Sequence, residues 1–175
     1  MPHETEHAVL LRRAALLARP LAHAEVHTDM LHMVEFTLEH ERYGIEARLI
    51  RAVLPLKNWT SLPGAPAHIA GLINVRSEII AVLDVRVVLG LARTTAAPAH
   101  TVLILHHDTM TCGIIIDALC GVAWLKRADI APALPTQTGA CGHYVLGVTK
   151  EQQVVLDALQ LLHDPALIVD EAATL

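Results

Sequence analysis

A chain of 175 residues, 53% of them apolar, can bury roughly 70% of its unfolded surface in one compact domain or two small ones sharing a core, which excludes general disorder. Only 18% of the residues are charged, against about 25% in an ordinary globular protein, so an unusually apolar exterior is left for a partner to meet. The formal charge of −5, the lack of any basic run longer than Arg12-Arg13 and the five scattered aromatics (Phe36, Tyr43, Trp59, Trp124, Tyr144) argue against nucleic acid as a partner.

From the N-terminus, Glu6 to Arg19 is rich in Ala, Leu and Arg and stops at Pro20, which predicts a short helix in a loosely attached extension. Glu4, Glu6 and the Arg12-Arg13 pair make a secretory signal unlike this start. After His32 the texture changes to strand-length runs of Val, Ile, Leu, Thr and Phe. Met33 to Leu38 alternates as a strand, His40 to Arg42 turns, and Tyr43 to Ala47 returns. Further strands are expected at Ala52 to Leu54, Leu72 to Val75, Ile79 to Leu83, Thr101 to His106, Gly113 to Asp117, Val145 to Thr149 and Val154 to Leu156. Between them, Pro63-Gly64-Ala65-Pro66 reads as a rigid turn and Ala67 to Ala70 as one helical turn ended by Gly71. The uncharged stretch Ala131 to Thr149 has spanning length, but its two prolines and three glycines exclude a transmembrane helix, so no membrane insertion is expected.

An internal repeat organises these elements. Tyr43 to Ile50 aligns without gaps on Cys112 to Leu119, with Val53 on Val122; Gly71 and Val82-Leu83-Asp84 recur as Gly147 and Val155-Leu156-Asp157. Two related units of four or five short strands follow, and units that small close into barrels to remove sheet edges. Gly44 and Gly113 are expected at a bulge or a close backbone approach. Asp84 and Asp157, each after an apolar strand and before a short helical run, are N-cap candidates.

Chemistry finds little support. Cys112, Cys120 and Cys141 lack Cys-x-x-Cys spacing, which fits a reducing compartment and neither zinc nor a disulfide framework. The pairs His3/His7 and His23/His27 have helical spacing without a third ligand, and His106-His107 on a strand would face opposite ways, so no metal is expected. There is no Gly-x-Ser-x-Gly elbow and no phosphate-binding glycine loop, hence no expected cofactor. A catalytic or small-molecule-binding alternative would use Cys141 and the nearby His143.

The chain resembles the CheW family of chemotaxis coupling proteins from about Val34 to Leu162. The resemblance rests on Tyr43-Gly44-Ile45, Leu62 to Pro66, Gly71 to Arg76, Ile79 to Arg86, Gly113 to Asp117 and Tyr144 to Val148. It implies a mainly β fold of two five-stranded SH3-like barrels with short helices and an N-terminal helical extension (residues 1–29). The family domain would cover 30–165, with barrels near 30–95 and 96–165 and room for strand exchange between them, and 166–175 would be an acidic tail. It also implies a non-enzymatic cytoplasmic scaffold, at the membrane-associated receptor array through its partners. Those partners would be the regulatory domain of a CheA-type histidine kinase, at a barrel end, and the cytoplasmic tip of chemoreceptors, in the groove between barrels. Self-association through barrel ends is left open. Carried over by position, the groove residues are Ile50, Asn74, Val75, Arg76, Val102, Gly113 and Leu119; Gly44, Gly64, Gly71, Asp84, Gly147 and Asp157 are structural caps and turns. Three departures stand out: Ser77 where the family usually has glycine, Ala52 where a glutamate often pairs with the motif arginine, and Ala81 for a frequent proline. If the Arg76-Ser77 turn needs positive φ, Ser77 strains it, and Arg76, without its usual partner, would have Glu78 nearby.

Overall fold

The structure, a computed structural model, describes residues 29–91, 101–132 and 139–167. The expected N-terminal helix and most of the acidic tail lie outside these residues. The strands are β1 (Met30–Leu38), β2 (Glu41–Glu46), β3 (Ile50–Pro55), β4 (Ile69–Val75), β5 (Glu78–Leu83), β6 (Thr101–His107), β7 (Met110–Ile116), β8 (Ala118–Lys126), β9 (Ile130–Ala131), β10 (Val145–Thr149) and β11 (Val154–Leu156). Two short helices, α1 (Val85–Val88) and α2 (Ala158–His163), follow β5 and β11.

The protein is mainly β, with one sheet in the order β8-β1-β2-β11-β10-β9 and another in the order β3-β6-β7-β5-β4. They hold six and five strands rather than five each, the sixth being the two-residue β9. Neither sheet is a contiguous half of the chain. β1 and β2 leave the first half to join β8–β11, while β6 and β7 leave the second to join β3–β5, so the exchange is reciprocal.

The repeat is visible in the register itself. Gly44 and Gly113 stand 69 positions apart, and each lies in a parallel pairing with the valine of the other repeated motif: Gly44 opposite Val155, Gly113 opposite Val82. The same spacing carries Ile50↔Leu105, Val53↔Leu103 and Leu54↔Val102 onto Leu119↔Phe36, Val122↔Val34 and Ala123↔Met33, with a bulge at the same place in both copies. A one-residue slip would turn every core residue outward, so matched register means matched inward faces. Phe36, Leu38, Tyr43 and Ile45 from one sheet pack with Leu83, Leu103, Leu105, Ile114 and Ile116 from the other into a shared core. Each sheet also has a cluster of its own, around Val82, Val102 and Ile104 in one and around Leu31, Met33 and Val155 in the other.

Asp84 and Asp157 cap α1 and α2 as expected: Asp84 Oδ1 accepts from the Arg86 N–H, and Asp157 Oδ1 from those of Leu159 and Gln160. Gly64, at φ +81, follows Pro63 in a turn closed by the Ala65 N–H donating to Leu62 O at 3.3 Å, the type II arrangement that requires glycine at its third position. Three expectations change. Ala67-His68 is a turn, and Ile69-Ala70 already belongs to β4, because pairing of Ile69 with Leu83 outweighs the helical preference of the alanines. Gly71 therefore ends no helix: a Cβ there would stand 2.4 Å from the Thr60 carbonyl oxygen, and Gly147 meets the Ala131 carbonyl at 2.2 Å in the equivalent place. Gly44 is mid-strand in β2 without a bulge, and the close approach is to the Gln153 side chain, whose Nε2 would be 3.1 Å from a Cβ.

Candidate docking surfaces

Three of the expected groove residues meet. Asn74 and Val75 near the end of β4 and Val102 near the start of β6 line a cleft of about 180 Å³ with Ile73 and the Leu54–Asn58 stretch that leaves β3. Its floor is apolar because Val102 and Ile73 belong to the private cluster of that sheet. Arg76 and Ser77 form the two-residue turn beside it, at φ +51 and +70, and the Ser77 N–H donates to Asn74 Oδ1 at 3.0 Å. Both central residues are left-handed, as a type I′ hairpin requires, and this conformation costs an L-residue roughly 1–2 kcal/mol. Ser77→Gly is expected to stabilise the fold by about 0.5–1 kcal/mol, the gain being trimmed by the freedom glycine adds to the unfolded chain. A higher urea midpoint at unchanged m reads it.

Glu78 does not serve Arg76. It accepts from Arg51 Nη1 of β3 at 2.7 Å, leaving the exposed Arg76 without an ion pair among the described residues. Ile50 and Leu119 occupy equivalent ends of β3 and β8; Ile50 packs on the shared core, whereas Leu119 is half exposed. Gly113 is buried mid-strand in β7, where a Cβ would meet Val102 Cγ1 at 2.8 Å, so it sets the packing beneath the cleft instead of lining it.

His143, on the six-residue 3-10 segment Gly139–Tyr144, lies against the Tyr144 ring, and its Nε2 is 3.8 Å from Asp164 Oδ2. The Tyr144 hydroxyl donates to that carboxylate at 2.6 Å, and with the Ala166 N–H it holds the Asp164 carboxyl below its usual range. His143 is thus engaged in a polar corner at the end of α2, and no finding favours a catalytic role for it or for Cys141. Burial pushes the Cys112 thiol up to about 12, which removes it as a nucleophile. His106 bonds Thr111 across its hairpin, and His107 turns to His163, 3.1 Å away.

One buried constellation escaped the sequence reading. The Arg86 side chain, 6% exposed, donates from Nε and Nη2 to the two oxygens of Asp84 at 2.8 and 3.1 Å, and from Nη1 to Asp117 Oδ1 at 3.2 Å. Glu39 Oε1 lies 3.7 Å from Nη1, and the Glu39 N–H donates to Asp117 Oδ2. The hydrogen bond with Asp84, together with the charges of Asp84, Asp117 and Glu39, raises the Arg86 pKa against the opposing effect of burial. A charged residue two places after a capping aspartate was the available signal.

Elsewhere several large apolar side chains are exposed. Ile79 on β5 is 70% exposed, Trp124 and Val122 on β8 are 65% and 59% exposed, and His32 of β1 stacks on Trp124 at 4.5 Å. Cavities of about 630 and 340 Å³ open on either side of the Trp124 indole. Large exposed side chains on an edge strand beside open clefts are features of protein docking surfaces.

A duplicated, strand-exchanged β fold whose distinctive surfaces are apolar faces and a small cleft defines a protein-docking module. Comparison with known proteins gives the family: the model for the CheW-like domain matches residues 32–166, so the chain belongs to the CheW-like family. It is 28% identical over 149 residues to the chemotaxis protein CheW of Treponema pallidum, covering 81% of this chain and 88% of that one. To CheW of Klebsiella aerogenes it is 27% identical over 142 residues, covering 79% and 86%. The crystal structure of the scaffolding protein TtCheW from Thermoanaerobacter tengcongensis superposes with a TM-score of 0.71 at 25% identity, over 83% of this chain and 96% of that one.

Proposed function

We propose that this protein is a non-enzymatic adaptor coupling chemoreceptors (methyl-accepting chemotaxis proteins) to a CheA-type histidine kinase in chemotaxis or a related chemosensory pathway. The observation that carries the reading is the family match over residues 32–166, which takes in nearly all of the described fold. Each sheet, with its own internal cluster and the same strand order, is read as one SH3-like barrel of a domain spanning 30–165, with 1–29 and 166–175 as appendages. The kinase regulatory domain is assigned to a barrel end and the receptor tip to the groove flanked by Asn74, Val75, Arg76 and Val102, with Ile50, Gly113 and Leu119 shaping its extension. Such an adaptor works in the cytoplasm and reaches the membrane through its receptors; no described helix is long and apolar enough to cross a bilayer. Purified kinase regulatory domain and receptor cytoplasmic fragment, mixed with this protein on a sizing column, are expected to elute as a three-component complex. Binding to neither would overturn the reading.

Arg76 gives that reading a residue-level test. Its exposed guanidinium can hold carbonyls or a carboxylate of a receptor in a fixed fork that lysine cannot copy. Arg76→Ala is expected to weaken receptor binding by about 2 kcal/mol, the size of a lost charge-assisted hydrogen bond, while leaving kinase affinity and melting temperature unchanged. Calorimetric titration against each partner separately checks it, and equal loss to both would remove Arg76 from the receptor side.

A further inference from the structure

We infer that the exposed outer face of β8 is the docking site of this chain's own N-terminal segment, Glu6 to Arg19, which covers Val122 and Trp124. The inference does not depend on the adaptor reading.

The first support is the asymmetry of the repeat. Val53 and Pro55 of β3 occupy the places that Val122 and Trp124 occupy in β8, and Thr101 the place of His32. Only one copy of the unit therefore carries an indole with an imidazole stacked on it, and that indole is left 65% exposed between two cavities. It is the copy whose inner neighbour is β1, the strand into which the N-terminal segment runs. Met30, Leu31 and His32 line the larger cavity together with Trp124, and the Arg127 N–H donating to Asp29 O at 2.8 Å pins the entry point at its rim. The N-terminal segment thus leaves the fold from the wall of the cleft it would fill.

Length and chemistry agree with this. The ten residues from Pro20 to Asp29 can span up to about 33 Å, and Pro20 permits the chain to reverse. A helix over the fourteen residues from Glu6 to Arg19 would be about 21 Å long, within the roughly 30 Å of the nine-residue β8. Leu10, Ala14 and Leu17 recur at i, i+4 and i+7, an apolar stripe with a small residue at its centre, suited to close approach to a flat strand face. Off that stripe the segment carries Arg12, Arg13 and Arg19; the larger cavity sets Glu46 beside Arg48 and Arg127, whereas the second, where the arginines would turn, is lined by Glu35, Asp129 and Glu151 against the single Lys150. Docking would remove a hydrophobic edge face from solvent.

The test uses the full chain with Trp59→Phe and Cys141→Ser, in which Trp124 is the sole indole and the exposed Cys120 of β8, two residues before Val122, is the accessible thiol; Cys112 is less exposed and its thiol is pushed up to about 12, so it labels slowly. Adding Leu10→Glu and Leu17→Glu is expected to raise acrylamide quenching of Trp124 and maleimide labelling of Cys120 by about twofold or more, with the melting transition retained. Equal quenching and labelling with and without the two glutamates would overturn the inference. So would protection that vanishes on dilution together with a dimer-to-monomer shift in sedimentation, which would give the face to a second copy. A second measurement stands even if the double-glutamate variant misfolds: with Leu17→Cys in the same background, a short bismaleimide is expected to join it to Cys120 within one chain. Labelling of both thiols without that intramolecular link would overturn the docking.

Discussion

Arg86→Met is expected to destabilise the protein by about 3–5 kcal/mol, the range measured when one partner of a buried ion pair is removed and the other is left uncompensated. Methionine fills the space of the arginine stem, so the loss falls on the charges. The guanidinium is almost wholly enclosed and touches Asp84 through two parallel bonds and Asp117 through a third, with Glu39 within 3.7 Å. Without it, the three carboxylates at the junction would lose the cation that they share. The site also joins parts that no single strand pairing joins. Asp84 ends β5 of one sheet, Glu39 sits in the β1–β2 turn of the other, and Asp117 lies where the chain crosses from β7 to β8 and donates its N–H to Thr37 O. Arg86→Lys keeps the charge but loses the fork and is expected to recover only part of the stability. Urea denaturation of the three proteins checks the order. A loss below about 1 kcal/mol for Arg86→Met would mean that water already screens the carboxylates and that the junction is held by the shared apolar core alone.

The strands that alternate or run apolar between turn residues were legible in the sequence, because burial on one face leaves a period of two. β8 was not read as a strand, although the repeat contained it: the spacing that places Gly44 on Gly113 also places Ile50–Pro55 on residues 119–124, in the middle of Ala118–Lys126. Its exposed valine and tryptophan blur the alternation that marks a half-buried strand. The strand exchange had no local signature. Pairing of Tyr43 with Val154 and of Val82 with Gly113 is decided by which apolar faces find each other, and periodicity records a face without naming its partner. For the same reason Asn74, Val75 and Val102 could be placed together only through family resemblance. That Gly113 lies under the cleft, and that Glu78 turns to Arg51, are matters of side-chain packing that spacing does not carry.

Gly147→Ala is expected to cost about 3 kcal/mol, the upper end of the range for forcing an added methyl group into a packed site. The obstacle is backbone. A Cβ would stand 2.2 Å from the Ala131 carbonyl oxygen and 3.0 Å from its carbon, with Ile130 Cγ2 at 2.6 Å. A side chain can rotate away from such a clash, but Ala131 belongs to β9 and is held by its pairing with Val148, so relief requires β9 to separate from β10. Gly71→Ala meets the same geometry in the other sheet: the Thr60 carbonyl oxygen would lie 2.4 Å away, and Thr60 is held by reciprocal 2.8 Å hydrogen bonds with Leu72. The two substitutions are therefore expected to cost similar amounts. Gly113→Ala supplies the contrast, because its nearest neighbour is a methyl group of Val102 that can shift, and the loss there should be smaller. Urea midpoints of the three variants at matched m values measure the order. A Gly147→Ala protein as stable as the parent would show that β9 leaves β10 at little cost, and that the six-stranded sheet is held by the pairings from β8 to β10.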